Sequence, residues 1–337
     1  MNHRIIFGFC IDEKRKILMI YKQFGQLDEQ VSVLGFGAAS LSGSGGGYGF
    51  GTIEDDAAIE LVHAAQGAGI NLYDTAPIYG FGESERRLGL ALLGRRDDAF
   101  VVSKCGVAYD ANHNVRIDNS QVTTQRMLEA SLRRLQTEMI DAYLVHWPDP
   151  EVDIRKTMET LTRAKERGLI RYIGLSNTNA EDLSKAREVT PIDVVQFEAS
   201  FLNPVALDTL AETEALENIG VMSWGTLAKG ILTGRVTRER KFDVSDVRNA
   251  APWWVKADHE PSFEIMDRLT PMLDESGHTG LELAMGYLLH RGVVDTLLCG
   301  VRTCEQLNSA VESLGHVPND DLLQRALAVR DEVWSRK

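Results

Sequence analysis

One stretch of the chain reads Tyr73-Asp74-Thr75-Ala76-Pro77-Ile78-Tyr79-Gly80 and continues as Gly82-Glu83-Ser84-Glu85-Arg86-Arg87-Leu88-Gly89. It passes from an apolar, strand-like run through a short turn into a helix-like run. The turn places the carboxylate of Asp74 five residues before the phenol of Tyr79. An acid and a phenol at the end of one strand do not by themselves identify a fold or a function. The interpretation of this stretch therefore depends on the strands around it.

Strand-like and helix-like runs alternate along the whole chain. Amphipathic stripes, such as Ala58, Leu61, Val62 and Ala65, separate the apolar runs. Regular alternation predicts parallel strands with right-handed crossovers, and eight units within about 265 residues fit a barrel of eight strand-helix units. We therefore predict an α/β fold, a single-domain (β/α)8 TIM barrel. The eight predicted strands are Val33 to Gly37, Ile70 to Asp74, Phe100 to Lys104, Ile140 to His146, Ile170 to Leu175, Val194 to Phe197, Val221 to Trp224 and Thr296 to Gly300.

A doubly wound sheet is the alternative α/β fold. A sheet of that kind that binds a dinucleotide normally carries a G-x-G-x-x-G turn after its first strand. The glycine-rich tract from Gly43 to Gly51 follows the first predicted strand, but no window in it has that spacing. We interpret the tract as a flexible loop at the mouth of the barrel.

Residues 1–22 are predicted as an N-terminal extension that precedes the barrel domain of residues 23–337. A charged cluster at residues 12–16 interrupts any apolar signal-peptide region. Two apolar runs, Ile5 to Phe9 and Ile17 to Tyr21, flank the cluster and could pair as a β-hairpin at the bottom of the barrel. The alternative is that Met19 is the natural start and that the preceding residues are an artefact of gene prediction.

The composition is that of an ordinary globular enzyme, with 44% hydrophobic and 25% charged residues among 337. The formal net charge of -13 opposes binding to nucleic acid or to an anionic membrane surface. The four cysteines include no C-x-x-C pair and have no histidine cluster beside them in the sequence, so we predict no metal site. We expect a cytoplasmic protein that binds neither nucleic acid nor membrane, and the sequence leaves its oligomeric state open.

Reactive side chains end three consecutive predicted strands, namely Asp74, Lys104 and His146. In a barrel of this kind the catalytic residues lie at the carboxyl ends of the strands. A phenol titrates near pH 10, and a nearby ammonium stabilises the phenolate, so Lys104 can lower the pKa of Tyr79. Asp74 can hold Lys104 in an ion pair, and His146 can orient a carbonyl oxygen. The set suits protonation of an oxygen while hydride reaches the attached carbon, and hydride must come from a cofactor.

Further motifs follow in order along the chain. They are Asp74-Thr75-Ala76-x-x-Tyr79-Gly80 with Glu85-x-x-Leu88-Gly89, Ser131-Leu132-Arg133-Arg134-Leu135 through Asp141-x-x-x-x-His146, Gly174-Leu175-Ser176-Asn177, Leu227-Ala228-Lys229-Gly230-Ile231-Leu232-Thr233-Gly234-Arg235, and Gly300-Val301-Arg302-x-x-x-Gln306-Leu307. On these motifs the chain resembles the aldo-keto reductase superfamily from roughly Gln23 to the C-terminus. The segments Gly225-Thr226 and Asp246-Val247-Arg248-Asn249 are similar to its bacterial branch of general stress reductases.

The resemblance implies NADP(H) as the cofactor and Tyr79 as the general acid. It implies that Lys104 and Asp74 tune this acid and that His146 orients the carbonyl group. By their position on loops, Trp147 and Trp253 would wall the pocket for a small-molecule carbonyl substrate. The implied cofactor residues are Ser176, Asn177 and Gln196 for the nicotinamide carboxamide, Trp224 for stacking on its ring, Leu227, Lys229, Gly230 and Arg235 for the pyrophosphate, Arg302 for the 2′-phosphate of NADP, and Gly225, Gly300 and Gln306 as further contacts.

The chain departs from the family pattern at three places. Thr226 stands where Pro is frequent, and Ala310 stands where an Asn often contacts adenine. Ala199 and Asn203 occupy a region that often contains Tyr-Asn. The first two departures concern cofactor affinity and the third concerns the shape of the pocket, and none falls on the four predicted catalytic residues.

Several functions are compatible with the sequence. The leading hypothesis is an NADP-dependent reductase of aldehydes or ketones. An NAD(P)-dependent sugar (aldose) dehydrogenase is the second, because Gly82-x-Ser84-Glu85-Arg86-Arg87-Leu88-Gly89 is also similar to those enzymes, although Arg302 argues against NAD. A cofactor-binding redox sensor that acts as a partner subunit is the third. A Schiff-base aldolase is disfavoured, because its lysine must be neutral while Asp74 would keep Lys104 charged.

Overall fold

Eight parallel strands close into a barrel in the computed structural model, which describes residues 19–44, 48–211 and 216–336. In chain order the strands are β1 (Tyr21–Gln23), β2 (Gln30–Ser32), β3 (Leu34–Gly37), β4 (Leu72–Asp74), β5 (Phe100–Cys105), β6 (Val107–Tyr109), β7 (Val115–Ile117), β8 (Ile140–Val145), β9 (Ile170–Ser176), β10 (Val194–Glu198), β11 (Gly220–Trp224) and β12 (Thr296–Cys299). The helices are α1 (Asp55–Gly67), α2 (Glu83–Ala91), α3 (Gln121–Leu135), α4 (Ile154–Glu166), α5 (Ala180–Arg187), α6 (Val205–Ala211), α7 (Pro252–Val255), α8 (Glu260–Ser276), α9 (Gly280–His290), α10 (Cys304–Ser313) and α11 (Asp320–Trp334).

The barrel contains each of the eight predicted strands. Their order around the barrel is β3-β4-β5-β8-β9-β10-β11-β12, and Leu297 opposite Leu34 closes the ring between β12 and β3. Strands covered on both sides become nearly continuous apolar runs, and every residue of β5 is buried. The prediction of a single-domain (β/α)8 barrel is confirmed.

The helices pack apolar stripes onto the outside of the barrel. In α1 the predicted stripe of Ala58, Leu61, Val62 and Ala65 is buried. Ser120 begins α3 by accepting a hydrogen bond from the Thr123 backbone, which satisfies one of the unpaired amides of the first turn. Within the described ranges, no helix has the length and apolar character that crossing a membrane requires.

A hairpin of β1 and β2 covers the amino ends of the barrel strands. Phe24 is fully buried and packs edge-on against Phe100 at the start of β5, with ring centroids 5.5 Å apart. The hairpin predicted from Ile5 to Phe9 and Ile17 to Tyr21 lies outside the described residues up to position 18. Tyr21 itself pairs with Ser32 instead. The boundary between an extension and the barrel domain at residue 22 stays a prediction.

Two segments pair with each other at the carboxyl end of the barrel. After β11 the chain forms a short 3-10 segment, Ala228–Thr233, and a long connection to α8. In this connection Asp246 pairs with Phe50, and the Val247 backbone donates to the Gly49 carbonyl at 2.7 Å. Part of the predicted glycine-rich loop is therefore held against the long connection, while its residues 45–47 lie outside the described residues.

Candidate active site

A buried ion pair lies at the carboxyl end of the barrel. Lys104 Nζ is 2.6 Å from Oδ1 of Asp74 and also donates to the Thr75 carbonyl at 2.9 Å. The Lys104 side chain is fully buried and that of Asp74 is nearly so. Gln196 donates from Nε2 to the same Asp74 oxygen at 2.8 Å. A buried pair needs good geometry and further hydrogen bonds to offset desolvation, and these partners provide both.

Tyr79 and His146 lie beside this ion pair. The Tyr79 ring centroid is 5.2 Å from Lys104 Nζ, and it is 5.8 Å from the His146 ring at an interplanar angle of 88°. His146 follows β8 directly, and its backbone donates to the Cys105 carbonyl at 2.9 Å. Tyr79 and His146 both keep part of their surface exposed, unlike Lys104. The structure therefore brings together all four predicted catalytic residues and leaves two of them accessible.

The electrostatics of the cluster are governed by burial. Enclosure in the protein raises the pKa of Tyr79 well above its ordinary value, and the negative charge of Asp74 adds to this shift. The sequence predicts that Lys104 lowers this pKa, and the structure places its ammonium 5.2 Å from the Tyr79 ring centroid, whereas burial acts in the opposite direction. At neutral pH Tyr79 therefore holds its proton.

The other two titratable groups are also shifted by burial. Burial lowers the pKa of His146 well below its ordinary value, and the charge of Lys104 acts in the same direction. The imidazole is therefore neutral at neutral pH, so that one ring nitrogen can donate to an oxygen while the other accepts. Burial likewise lowers the pKa of Lys104, and its hydrogen bond and ion pair with Asp74 oppose that shift.

The turn that presents Tyr79 requires glycine at its second position. Gly80 has φ 63°, and a Cβ built there would lie 2.5 Å from the Ser42 carbonyl oxygen. Residues with a side chain rarely adopt that conformation, and no side-chain atom fits in that space. The Tyr-Gly pair of the opening motif is thus a local requirement of the backbone at the site.

The three residues predicted for the nicotinamide carboxamide are hydrogen-bonded to one another. Asn177 Nδ2 donates to Ser176 Oγ and to the His146 carbonyl, each at 3.0 Å. Ser176 Oγ donates to Gln196 Oε1 at 3.3 Å, and Trp224 Nε1 donates to Asn177 Oδ1 at 3.1 Å. The carboxyl ends of β9, β10 and β11 thus supply amide and hydroxyl groups that match the donors and acceptors of a carboxamide.

Lys229 lies between two tryptophans. Its Nζ is 5.7 Å from the Trp224 ring centroid and 5.6 Å from that of Trp253, and it forms an ion pair with Glu198. Arg248 donates to the Lys229 carbonyl at 2.7 Å. Lys229 and Gly230 both have positive φ, 56° and 102°, and the Gly230 amide donates to the Leu227 carbonyl at 2.9 Å. Trp253 is therefore placed near Trp224 by contacts that the sequence did not reveal.

Three more predicted cofactor residues lie around the start of α10. The Arg302 guanidinium donates to the Thr52 carbonyl at 2.6 Å, and its backbone donates to Gln306 Oε1 at 2.8 Å. Arg235 is largely exposed and lies 3.8 Å from Glu305, the second residue of that helix. Gly300 directly follows β12, whereas Gly225 and Leu227 precede the Lys229 turn.

The family departures have visible structural roles. Thr226 donates from its hydroxyl to the Leu298 carbonyl at 3.0 Å, which ties the ends of β11 and β12 and which Pro could not do. Ala310 is buried in the apolar core, so its methyl group offers no polar contact.

Trp147, which was predicted to line the substrate pocket, is 43% exposed immediately after His146. The Asn119 side-chain amide donates to the Trp147 carbonyl at 2.9 Å.

Sequence reasoning missed Glu198 as a residue of the site, and it missed the partners of Arg248. Glu198 ends β10 and pairs with Lys229, and Arg248 binds both the Lys229 carbonyl and, at 2.7 Å, Asp246. The signal for Glu198 was available, because a charged residue at a barrel strand's carboxyl end is a candidate for the site. No local pattern could have paired Arg248 with Lys229, which is a contact made by folding.

Comparisons with known proteins agree with this fold and identify its family. The profile of the aldo/keto reductase family matches residues 33–326. Aldo-keto reductase YhdN of Bacillus subtilis strain 168 is 31% identical over 306 residues, which cover 90% of this chain and 91% of the relative. Aldo-keto reductase yakc [NADP(+)] of Schizosaccharomyces pombe is 30% identical over 273 residues, covering 79% and 78%.

Solved structures show the same architecture. The glycerol dehydrogenase AKR11B4 from Gluconobacter oxydans superposes with a TM-score of 0.80 at 28% identity, covering 94% of this chain and 95% of the other. The aldo-keto reductase AKR11C1 from Bacillus halodurans in its holo form gives 0.74 at 26% identity, covering 93% and 96%. The fold is therefore a (β/α)8 barrel of a kind found in enzymes. The chain belongs to the aldo/keto reductase family. It is an oxidoreductase of that family.

Proposed function

We propose that this protein reduces an aldehyde or a ketone with NADPH, and that Tyr79 donates the proton. The cluster of Asp74, Lys104, Tyr79 and His146 carries the proposal, because a partly exposed phenol and a partly exposed imidazole lie next to each other beside a buried ammonium. Such a set suits proton transfer to an oxygen far better than nucleophilic attack. The small-molecule partner is accordingly a carbonyl compound.

Each residue of the cluster has a defined task in the proposed reaction. His146 donates its ring N–H to the carbonyl oxygen and so fixes the direction of that oxygen. Tyr79 transfers its hydroxyl proton to the same oxygen while negative charge develops on it. Lys104 stabilises the phenolate that remains, and Asp74 holds Lys104 in position at 2.6 Å. When bound, the cofactor supplies the hydride, which no side chain here can provide.

The residues present fit a dinucleotide. The linked polar groups of Ser176, Asn177 and Gln196 offer the donors and acceptors that a carboxamide needs. Lys229 follows β11 and carries the positive charge that would face the pyrophosphate. Among the nicotinamide cofactors we favour NADP(H), because Arg302 lies just before α10 and its planar guanidinium suits a 2′-phosphate.

An alcohol or sugar dehydrogenase is the second candidate. The glycerol dehydrogenase from Gluconobacter oxydans shares the fold over 94% of this chain, and its name describes oxidation of a polyol. The same four residues could run the reverse reaction, with Tyr79 accepting the proton from a hydroxyl group. Turnover of polyols or aldoses with NAD(P)+ at a higher kcat/KM than that of any aldehyde with NADPH would favour this candidate.

The experiment compares the cofactors first and the carbonyl compounds second. We expect saturable binding of NADPH, oxidation of NADPH with members of an aldehyde and ketone panel, and a preference for NADPH over NADH. Arg302→Ala should raise the KM for NADPH by roughly tenfold, about 1.4 kcal/mol, and leave that for NADH nearly unchanged. Arg291→Ala is the matched control, because this arginine pairs with Asp208 outside the site.

Two results would count against the proposal. A protein that binds NADPH but turns over no carbonyl compound and no alcohol would favour the sensor hypothesis instead. A preference for NADH, or an Arg302→Ala variant that loses both cofactors equally, would remove Arg302 from the 2′-phosphate site while leaving the catalytic cluster as proposed.

A further inference from the structure

A second cluster of ligand-type side chains lies outside the catalytic site. His278 precedes α9, Glu282 lies in the first turn of that helix, and His316 follows α10. The two imidazoles and the carboxylate each have one ligand atom within 4.8 Å of the others. His316 and Glu282 are 34 residues apart in the sequence, so folding alone brings the three together.

Both imidazoles direct the same ring nitrogen at the carboxylate. His316 Nδ1 is 2.9 Å from Glu282 Oε1, and His278 Nδ1 is 3.6 Å from Glu282 Oε2. The two rings stack, with centroids 4.4 Å apart at 30°. The two Nδ1 atoms therefore lie beside different oxygens of the same carboxylate, and the three ligand atoms are within 4.8 Å of one another.

One atom of the cluster is left without a partner. His278 Nδ1 is buried and forms no hydrogen bond within the described part of the chain. Leaving a buried polar atom unpaired is costly, which makes it an unusual feature in a folded protein. Glu282, by contrast, is held firmly, because Oε2 accepts from the Thr279 backbone at 2.7 Å in a capping box. The carboxylate is thus positioned in advance, and His278 Nδ1 can serve as a ligand in the tautomer that carries its proton on Nε2.

We propose that His278, Glu282 and His316 bind a divalent transition-metal ion, with Zn²⁺ the best fit. Two imidazole nitrogens and one carboxylate oxygen form a common ligand set for zinc, whereas Mg²⁺ and Ca²⁺ prefer oxygen ligands alone. Bonds of about 2.0–2.2 Å in a tetrahedron place ligand atoms about 3.4 Å apart, so only small side-chain shifts are needed. The His316 side chain is 57% exposed, which leaves a fourth position open to water.

The proposed site joins segments that lie near the catalytic end of the barrel. Gly280, between His278 and Glu282, packs so closely on the Leu232 carbonyl that a Cβ there would lie 2.0 Å from its oxygen. Leu232 belongs to the 3-10 segment that also contains Lys229. A bound ion would therefore cross-link the start of α9 to the segment after α10. The sequence-based prediction was that no metal binds, and the proposal departs from it.

The test is a metal titration of the full-length, tag-free protein after treatment with a chelator. Calorimetry with Zn²⁺ alone should show one saturable site per chain. His316→Ala should weaken binding at least tenfold, and the double variant His278→Ala/His316→Ala should abolish it. His290→Ala is the matched control, because this half-exposed histidine lies on the same helix but faces Asp320 at 3.4 Å, and it should bind like the parent protein.

Replacement of Zn²⁺ by Co²⁺ identifies the ligands by a second measurement. Nitrogen and oxygen ligands should give visible d–d absorption without the intense near-ultraviolet bands of cobalt-thiolate bonds. Sulfur bands would mean that cysteines hold the ion, and they would overturn the proposal. The proposal also fails if the parent protein shows no one-to-one binding, or if His316→Ala binds as tightly as the parent while its circular dichroism confirms that it is folded.

Discussion

Replacing Tyr79 by Phe removes one hydroxyl group from the buried cluster and keeps the ring. The ring contacts at 5.2 Å to Lys104 Nζ and 5.8 Å to the His146 ring do not need the hydroxyl, so the packing should persist. Proton donation by a positioned side chain contributes about 10²–10⁴-fold to a rate. We therefore expect kcat to fall by that factor, which equals about 2.7–5.5 kcal/mol of transition-state stabilisation at 1.36 kcal/mol per tenfold.

The assay separates chemistry from binding. Turnover is followed by the loss of NADPH absorbance at saturating carbonyl substrate, and cofactor binding by quenching of tryptophan fluorescence. Tyr109→Phe is the matched control, because it removes the same atom from a half-buried tyrosine of β6 that is outside the cluster. It should retain the parental kcat. A Tyr79→Phe variant that binds NADPH and keeps kcat within threefold of the parent would refute the assignment of Tyr79 as the acid.

Three further predictions concern the stability of the site. Lys104→Met leaves Asp74 buried without its ion-pair partner, so we expect a loss of about 3–5 kcal/mol in the free energy of unfolding together with lost turnover, measured by urea denaturation. The exposed pair of Lys185 and Glu181 is the control, and Lys185→Met should hardly move the midpoint. The pKa of His146 is held well below its ordinary value, so at mildly acidic pH the unfolded chain binds a proton there that the folded protein does not. The free energy of unfolding should therefore fall as the pH drops below about 6.5. His146→Gln should weaken this pH dependence. An identical pH slope in both proteins would contradict a buried neutral imidazole. Gly80→Ala should lower the free energy of unfolding by about 1–3 kcal/mol more than Gly94→Ala does. Both glycines have positive φ, but only Gly80 has an atom within 4 Å of the new methyl group. Equal losses of stability in the two variants would show that the turn can relax.

The barrel and the clustering of the four candidate catalytic residues could be predicted because both depend on local patterns. A strand such as β5, buried along its whole length, is an apolar run in any sequence, and Lys104 near its end is conspicuous. Parallel topology then places successive strand ends at one face, so that Asp74, Lys104 and His146 had to be close together. The alternation of runs was sufficient to order eight strands without knowledge of any contact.

What the sequence did not show depends on folding. The effect of burial on the pKa of Tyr79 was not anticipated, because the sequence reveals neighbouring charges but not how completely the site excludes water. The hairpin of β6 and β7 was missed because strands of three residues with exposed positions have no clear period. Glu198 with Lys229 and His278 with His316 are pairs that no spacing rule connects.

The hydrogen bond from Gln196 to Asp74 has a consequence for how this protein can change its substrate. In the ring of eight strands, β10 lies diametrically opposite β4. This 2.8 Å hydrogen bond therefore connects two opposite sides of the barrel. The Asp74 oxygen that accepts this hydrogen bond also pairs with Lys104. One oxygen atom thus links β4 to β10 and belongs to the proposed catalytic cluster. A substitution that separates β4 from β10 would break this hydrogen bond and disturb the ion pair beside it. Adaptation to a new substrate is therefore expected in the surrounding loops, where the sites of such barrels are built.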